Sequence, residues 1–451
     1  MKNAFVKIIS MILMCALLFS FAACSKGPAP VGGSETPDVN GGSTPPDTDP
    51  DNKPTDTIDV LELGNSIDLM DGTKCGAVKS RSADERFIKS QAEFGLELFK
   101  KSMKDDENSL VSPLSVMLAL AMTANGADGA TLAEMEAVLG GDIPLDELNE
   151  YLHTYWSLLP SSEKAKLNIA NSIWFRDNEN AIIVEKDFLK KNADYYGASA
   201  YKSPFDEETV KDINNWVNYN TDGMIKGILD QIPAEAVMYL INAICFDAEW
   251  ASPYDSEYDV REGTFYGLSG ATTVEMMHSN EGRYVTDDNA CGFIKSYKNG
   301  YSFMAILPNE DISLADYIDT LEGDDLVKLY KNPEYVTVNA TLPKFKYEYS
   351  VSLNDPLKDM GMKGAFNGGF GRMGRSAWGE LRVGSVLHKT FIEVDNNGTR
   401  AAAVTAVEMV AESCEPTLPK TVRLDRPFLY AIVDNSTGLP IFIGTVNDIE
   451  G

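Results

Sequence analysis

One linker, and only one, interrupts this chain. Between Ser25 and Thr57 lie seven prolines, five glycines, no aromatic residue and a cluster of aspartates. Such a stretch cannot bury a core and is expected to stay extended. Beyond it there is no second break of that kind and no internal repeat. The 451 residues therefore do not divide into the three domains that length alone would suggest, at roughly 150 residues each. Instead, a leader over 1–23, a linker over 24–57 and a lead-in over 58–82 precede one large unit over 83–451. With 44% hydrophobic residues, that unit has ample material for a core.

Helical signals come first in it. Ser82-Ala83-Asp84-Glu85 and Thr131-Leu132-Ala133-Glu134 read as capping boxes, and Ser112-Pro113 places a cap and a first-turn proline before an apolar run. Strand signals follow at 167–175, 237–246, 301–307, 335–342 and 391–394, with a closing hairpin at 428–433 and 439–446. Helices first and strands later favour an α+β fold over alternating βαβ units.

The N-terminus reads as an address. Lys2 and Lys7 precede an apolar run from Ile8 to Phe21, the pattern of a secretory signal peptide. Phe21-Ala22-Ala23-Cys24 resembles the lipobox of bacterial lipoproteins, with Phe21 in place of the usual leucine. The resemblance implies cleavage before Cys24, lipidation of its sulfur, and a protein held outside the cell at a membrane. Loss of the leader removes two lysines and no acid, which moves the net charge from −29 to −31. Such acidity argues against a nucleic-acid partner and against electrostatic attraction to an anionic membrane, leaving a lipid anchor as the membrane contact.

No enzyme constellation emerges. His153, His278 and His388 are the three histidines, without metal-ligand spacing, and each is read as packing or a structural hydrogen bond. Neither a Walker loop nor a GxSxG elbow is present. Gly369-Phe370-Gly371-Arg372-Met373-Gly374 fits a dinucleotide fingerprint, with Glu393 at a suitable distance, but no strand precedes it. It is read as a glycine-rich loop. Cys75, Cys245, Cys291 and Cys414 match no zinc motif, and Cys245 lies in an apolar run as a small core residue. Neither cofactor nor metal is expected.

The segment between Val394 and Pro427 is long for a loop in a compact unit, which marks it as functional or disordered. It opens with the turn signal Asp395-Asn396-Asn397-Gly398. Thr399 to Val410 could form an alanine-rich helix. Read as a strand, one parity takes Thr399, Ala401, Ala403, Thr405, Val407 and Met409 and carries no charge; the other holds Arg400 and Glu408. Period two thus separates a buriable face from a solvent face.

These residues resemble the hinge of the serpins. The likeness continues through Asn108 to Ser115, Asn242 to Trp250, Leu342 to Lys346, Leu357 to Met362, Val386 to Thr390 and Arg426 to Tyr430, and covers about residues 83 to 449. It implies a serpin fold of three β-sheets and about nine helices, with an exposed reactive-centre loop. The implied activity is inhibition of serine proteases, with cysteine proteases as a second open class, as a suicide substrate: the loop is cleaved and inserts into the main sheet before the acyl-enzyme hydrolyses. The protein would be an inhibitor, not an enzyme. Its partner would be the target protease, held as a covalent acyl-enzyme complex, and the protein itself a monomer.

Residue by residue, Gly398 and Thr399 match the hinge start, where the glycine supplies backbone freedom. Arg400 follows on the outward parity, and Ala401, Ala402, Ala403 and Val404 match the small-residue run of inhibitory members. Counting from the hinge puts the scissile bond at Glu412–Ser413. Counting back from Arg426 puts it four residues later, so the loop is longer than usual and Met409, Val410 and Ala411 stay open. Ser112, Ser115, Asn242 and His388 match the shutter beneath the opening sheet, with His388 as a buried donor, and Trp250 matches the breach where the loop enters. Asn396 and Asn397 replace paired glutamates, which would weaken a hinge salt bridge. The alternative is a non-inhibitory serpin-fold binding protein or a plain protease substrate; the small-residue hinge separates the two. The acidity further suggests a preference for basic protease surfaces.

Overall fold

A computed structural model describes residues 61–177, 181–234, 236–377, 379–399 and 418–450. The leader, Cys24, the linker, Arg400, Ala401 to Val404, Glu412, Ser413 and Cys414 lie outside the described residues.

The helix Pro113–Ala124 is the central post, and every one of its residues is buried. Ser112 caps it, its hydroxyl accepting the Ser115 N–H, and proline occupies the first turn where no N–H is needed. Beside it packs Glu85–Ser102, which buries Phe87, Phe94, Leu98 and Phe99 on one face. Its cap is Asp84, bonded to the Phe87 N–H, and not the Ser82 that a capping-box reading would choose. The second expected box also fails. That helix spans Gly129–Leu139 with Asp128 at its cap position, and Thr131, which is buried, and Glu134 bond to another segment instead. Thr131 Oγ1 donates to the Gly368 carbonyl, and a Glu134 carboxylate oxygen accepts from the Gly364 N–H. Both residues hold down the glycine-rich loop. That loop leaves a 3₁₀ turn, Gly364–Phe366, and runs into the short strand Gly374–Ser376, so no helix opens where a dinucleotide phosphate would need one.

Among the described residues there are nine α-helices, one 3₁₀ turn, three large sheets and one two-stranded pair. The main sheet has seven strands in the order Ile67–Asp68, Ser199–Ser203, Ala165–Arg176, Met238–Glu249, Gly398–Thr399, Ser385–Val394, Phe345–Ser352. A six-stranded sheet carries the C-terminal hairpin, Phe428–Asp434 and Pro440–Val446, against Tyr301–Pro308. A four-stranded sheet ends in Lys420–Arg423. Met238–Glu249 is buried almost throughout because both faces are covered. One face packs on the large core around Pro113–Ala124. The other meets a smaller cluster of Trp174, Trp216, Tyr239 and Ile241 under the helix Glu207–Asn220.

The lead-in is more than a tether. Ile67–Asp68 adds an edge strand to the main sheet, paired with Tyr201 and Lys202. Just before it, the Asp212 carboxylate gathers the backbone N–H groups of Gly64, Asn65 and Ser66 at 2.6, 3.2 and 3.0 Å. One acid thus satisfies three donors that a loop would otherwise leave to water.

Candidate functional site

Two strands of the main sheet part company at its centre. Met238–Glu249 and Ser385–Val394 pair in parallel from Tyr239–Ser385 up to Ala243–Lys389, and no further. Above that level Ile244 to Asp247 and Thr390 to Glu393 have no pairing with one another among the described residues. At the top of the gap sits Gly398–Thr399, antiparallel to Ala248 and Glu249 on one side and to Val394 on the other.

The turn that delivers this pair is tightly built. Asp395 Oδ1 accepts from the N–H groups of Asn397 and Gly398 at 2.7 and 3.0 Å, an Asx turn. The Asp395 N–H closes on the Gly398 carbonyl at 2.9 Å. Trp250 then clamps the turn from outside: its indole N–H donates to the Asp395 carbonyl at 2.9 Å, and its backbone N–H to Asn397 at 2.8 Å. The Tyr254 N–H takes the Asn396 carbonyl. Asn396 and Asn397 act here through their backbones, and among the described residues their side chains bond each other alone, the Asn396 amide donating to Asn397 Oδ1 at 3.4 Å. Trp250 is fully buried and stacks on Tyr297 at 4.2 Å, and the Tyr297 hydroxyl bonds Thr399 Oγ1. Below the rings, the buried Lys295 ammonium lies 4.3 Å from the Tyr254 centroid and pairs with Glu281 at 2.9 Å.

Gly398 is required for space and not for an unusual backbone. A Cβ there would stand 2.0 Å from the Ala248 carbonyl oxygen and 2.9 Å from the Glu249 Cα. Backbone freedom is the wrong reason for this glycine; close approach of two chains is the right one. Thr399 is 2% exposed, and its side chain faces the core.

Directly where the strands part, the structure brings Ser112, Ser115, Asn242 and His388 together. Asn171, Asn242 and His388 are neighbours across three strands. The Ser112 N–H donates to His388 Nε2 at 3.0 Å, so that nitrogen is the acceptor and Nδ1 carries the proton, donated to Asn242 Oδ1 at 2.9 Å. His388 is thus both donor and acceptor. The Asn242 amide N–H groups reach the Ser115 carbonyl at 2.8 Å, the Ser115 hydroxyl and Asn171 Oδ1 at 2.6 Å. Asn171, like Tyr297 and Tyr254, carries no motif in the sequence that marks it for this site, whereas Asp395 is legible there as the start of the turn. For Asn171, an asparagine inside the apolar run Ile169 to Phe175 is the one local sign.

Burial without a counter-charge pushes His388 down to about 3 from the usual 6.5. Between those values the unfolded chain takes up a proton that the folded chain refuses. The contribution to stability is complete above pH 6.5 and falls as the pH drops, by up to about 1.4 kcal/mol per pH unit. Urea midpoints measured from pH 6.5 to 5, above the main carboxylate range, should decline in the native chain and decline less in His388→Gln. Equal slopes would refute this assignment. Burial likewise pushes the Cys245 thiol up to about 12, which makes it an inert packing group. His153 bonds the Tyr195 carbonyl and His278 bonds Thr341, both as structural contacts.

The family profile described as "Serpin (serine protease inhibitor)" matches residues 89–449. An uncharacterized serpin-like protein of Thermococcus kodakarensis is 32% identical over 365 residues, covering 78% of this chain and 83% of its own. A serine protease inhibitor of Cyanea capillata is 32% identical over 360 residues, 76% of this chain and 92% of its own. Among solved structures, the thermophilic serpin tengpin in its native state has a TM-score of 0.81 at 52% identity, covering 86% of this chain and 100% of that one. The same serpin in its latent state scores 0.73 at 50% identity, covering 82% and 100%. The fold described above is therefore nearer to the native arrangement than to the latent one.

Proposed function

Because this chain belongs to the serpin family, we propose that it inhibits serine proteases as a suicide substrate, through cleavage in the segment 400–417 and insertion of the freed strand into the main sheet. The observation that carries this reading is the gap between Met238–Glu249 and Ser385–Val394, with Gly398–Thr399 already paired at its upper end. A strand that continued from Thr399 on the uncharged parity would find ladder partners on both sides and a core beneath. In the step itself, the protease serine oxygen forms an ester with the scissile carbonyl. The peptide C–N bond breaks, and the amine leaves as a new N-terminus. Insertion then competes with hydrolysis of that ester.

The experiment is incubation with a panel of elastase-like, chymotrypsin-like and glutamate-specific serine proteases. An SDS-stable complex at near-equimolar ratio is expected, with mass spectrometry of the released C-terminal fragment deciding among Glu412 and the neighbours Met409 to Cys414. The cleaved chain should also unfold at a much higher temperature. Cleavage with neither complex nor gain in stability would assign the chain to the non-inhibitory serpins. The leader and Cys24 support a secreted, lipid-anchored monomer on a stalk. Cys24→Ala should move the protein from the detergent phase to the aqueous phase, and an unchanged partition would remove the anchor from the proposal.

A further inference from the structure

A second site lies along the strand Ala165–Arg176, two strands across the main sheet from Gly398–Thr399. Leu167, Asn168, Ile169 and Ala170 all line one cleft of about 690 Å³, a size typical of small-ligand sites. Successive strand residues point to opposite faces, so four in a row can border one cavity only along the strand's edge. That edge is open. Their other edge pairs with Met238–Glu249, but pairing with Ser199–Ser203 begins only at Ser172, so on this one edge Leu167 to Ala170 have no strand beside them among the described residues.

The walls supply the rest. On one side stands Trp156, whose indole N–H is fixed to the Tyr195 carbonyl at 3.1 Å. On the other, the last turn of Glu207–Asn220 presents Asn218, Tyr219 and Asn220. Tyr219 is 40% exposed. Asn220 spends its amide N–H on the Trp216 carbonyl, which leaves its oxygen to accept. Asp222, held at φ +50, receives the Asn168 amide at 3.0 Å on one carboxylate oxygen. Among the described residues, no lysine, arginine or histidine lines the cleft.

We propose that this cleft, formed by the open strand edge, the Trp156 and Tyr219 rings and the amides of Asn168, Asn218 and Asn220, binds a neutral oligosaccharide. The C–H face of a sugar ring lies on an aromatic ring, and its hydroxyls both donate and accept, as amides, a carboxylate and an open backbone edge require. Sulfated, sialylated or phosphorylated ligands would meet a carboxylate and no cation. An added peptide strand is the competing occupant. It would use the edge, about 13 Å over four residues, but neither the rings nor the amides of the opposite wall.

The test is an array of neutral, sulfated and sialylated glycans probed with the full chain, followed by calorimetric titration of the best neutral ligand. Selective retention of neutral oligosaccharides is expected. Tyr219→Ala and Asn218→Ala, both away from the core, should each weaken binding at least tenfold while leaving the thermal unfolding midpoint and protease complex formation unchanged. Retention of only charged glycans, no retention at all, displacement by extended peptides alone, or affinity unaltered in both variants would overturn the proposal.

Discussion

Thr399→Arg should turn the protein from inhibitor into substrate. Thr399 is 2% exposed and bonded to Tyr297, and it heads the uncharged parity of the segment that follows. An unpaired guanidinium at that depth costs several kcal/mol. Before cleavage the chain can relieve that cost by withdrawing two residues, Gly398 and Thr399, from the top of the sheet. After cleavage it cannot, because every later residue must enter below the substituted one. A barrier raised by about 2–3 kcal/mol slows insertion some 30- to 150-fold, and hydrolysis of the acyl-enzyme then wins. The expected gel shows full cleavage with the SDS-stable band lost, and more than ten inhibitor molecules consumed per protease. Thr399→Val, which removes only the hydroxyl bond and keeps the shape, should still trap the enzyme. Undiminished complex with the arginine variant would rule out insertion at this position.

Asn242→Ala should be the most destabilising single truncation in the sheet. The native amide serves the Ser115 carbonyl and Asn171, and its oxygen takes the His388 proton. Asn242 is 2% exposed and His388 1%, so no water replaces what is lost. Each buried group left without a partner costs about 1–3 kcal/mol, which for these three gives about 3–9 kcal/mol. The apparent unfolding temperature, followed by circular dichroism at one fixed scan rate, should fall by about 10 °C. A fall of less than about 2 °C would mean that this row of side chains does not hold the sheet together.

Much of the fold could be read from pattern because it depends on neighbours along the chain. The post Pro113–Ala124 announces itself by cap, proline and apolar run, and the C-terminal hairpin by its turn. Ser385–Val394 is legible only from residue 391, because His388, Lys389 and Thr390 look wrong for a buried strand until their partners are known. Thr390 Oγ1, for instance, bonds the Leu110 carbonyl from 280 positions away. The expected strand at 335–342 starts only at Val338, and Tyr335 is left 83% exposed beside Pro333. The hinge turn shows the same division. Asp395 to Gly398 reads as a turn from composition alone. Its clamp does not, since Trp250 and Tyr297 stand just past the ends of two separate strands, about a hundred residues or more earlier. The edge strand in the lead-in carries no signal in the sequence for the same reason: its anchor, Asp212, lies on a helix almost 150 residues further on.

The parted strands also govern how the protein keeps on the bench. Ile244 to Asp247 and Thr390 to Glu393 offer backbone groups to any extended segment that arrives, whether from the same molecule or from another one in a concentrated stock. On the proposed insertion mechanism, the folded form is preserved by the slowness of that arrival more than by its own depth in free energy. Shelf life, set by temperature and concentration together, becomes a property of this sheet as much as its shape is.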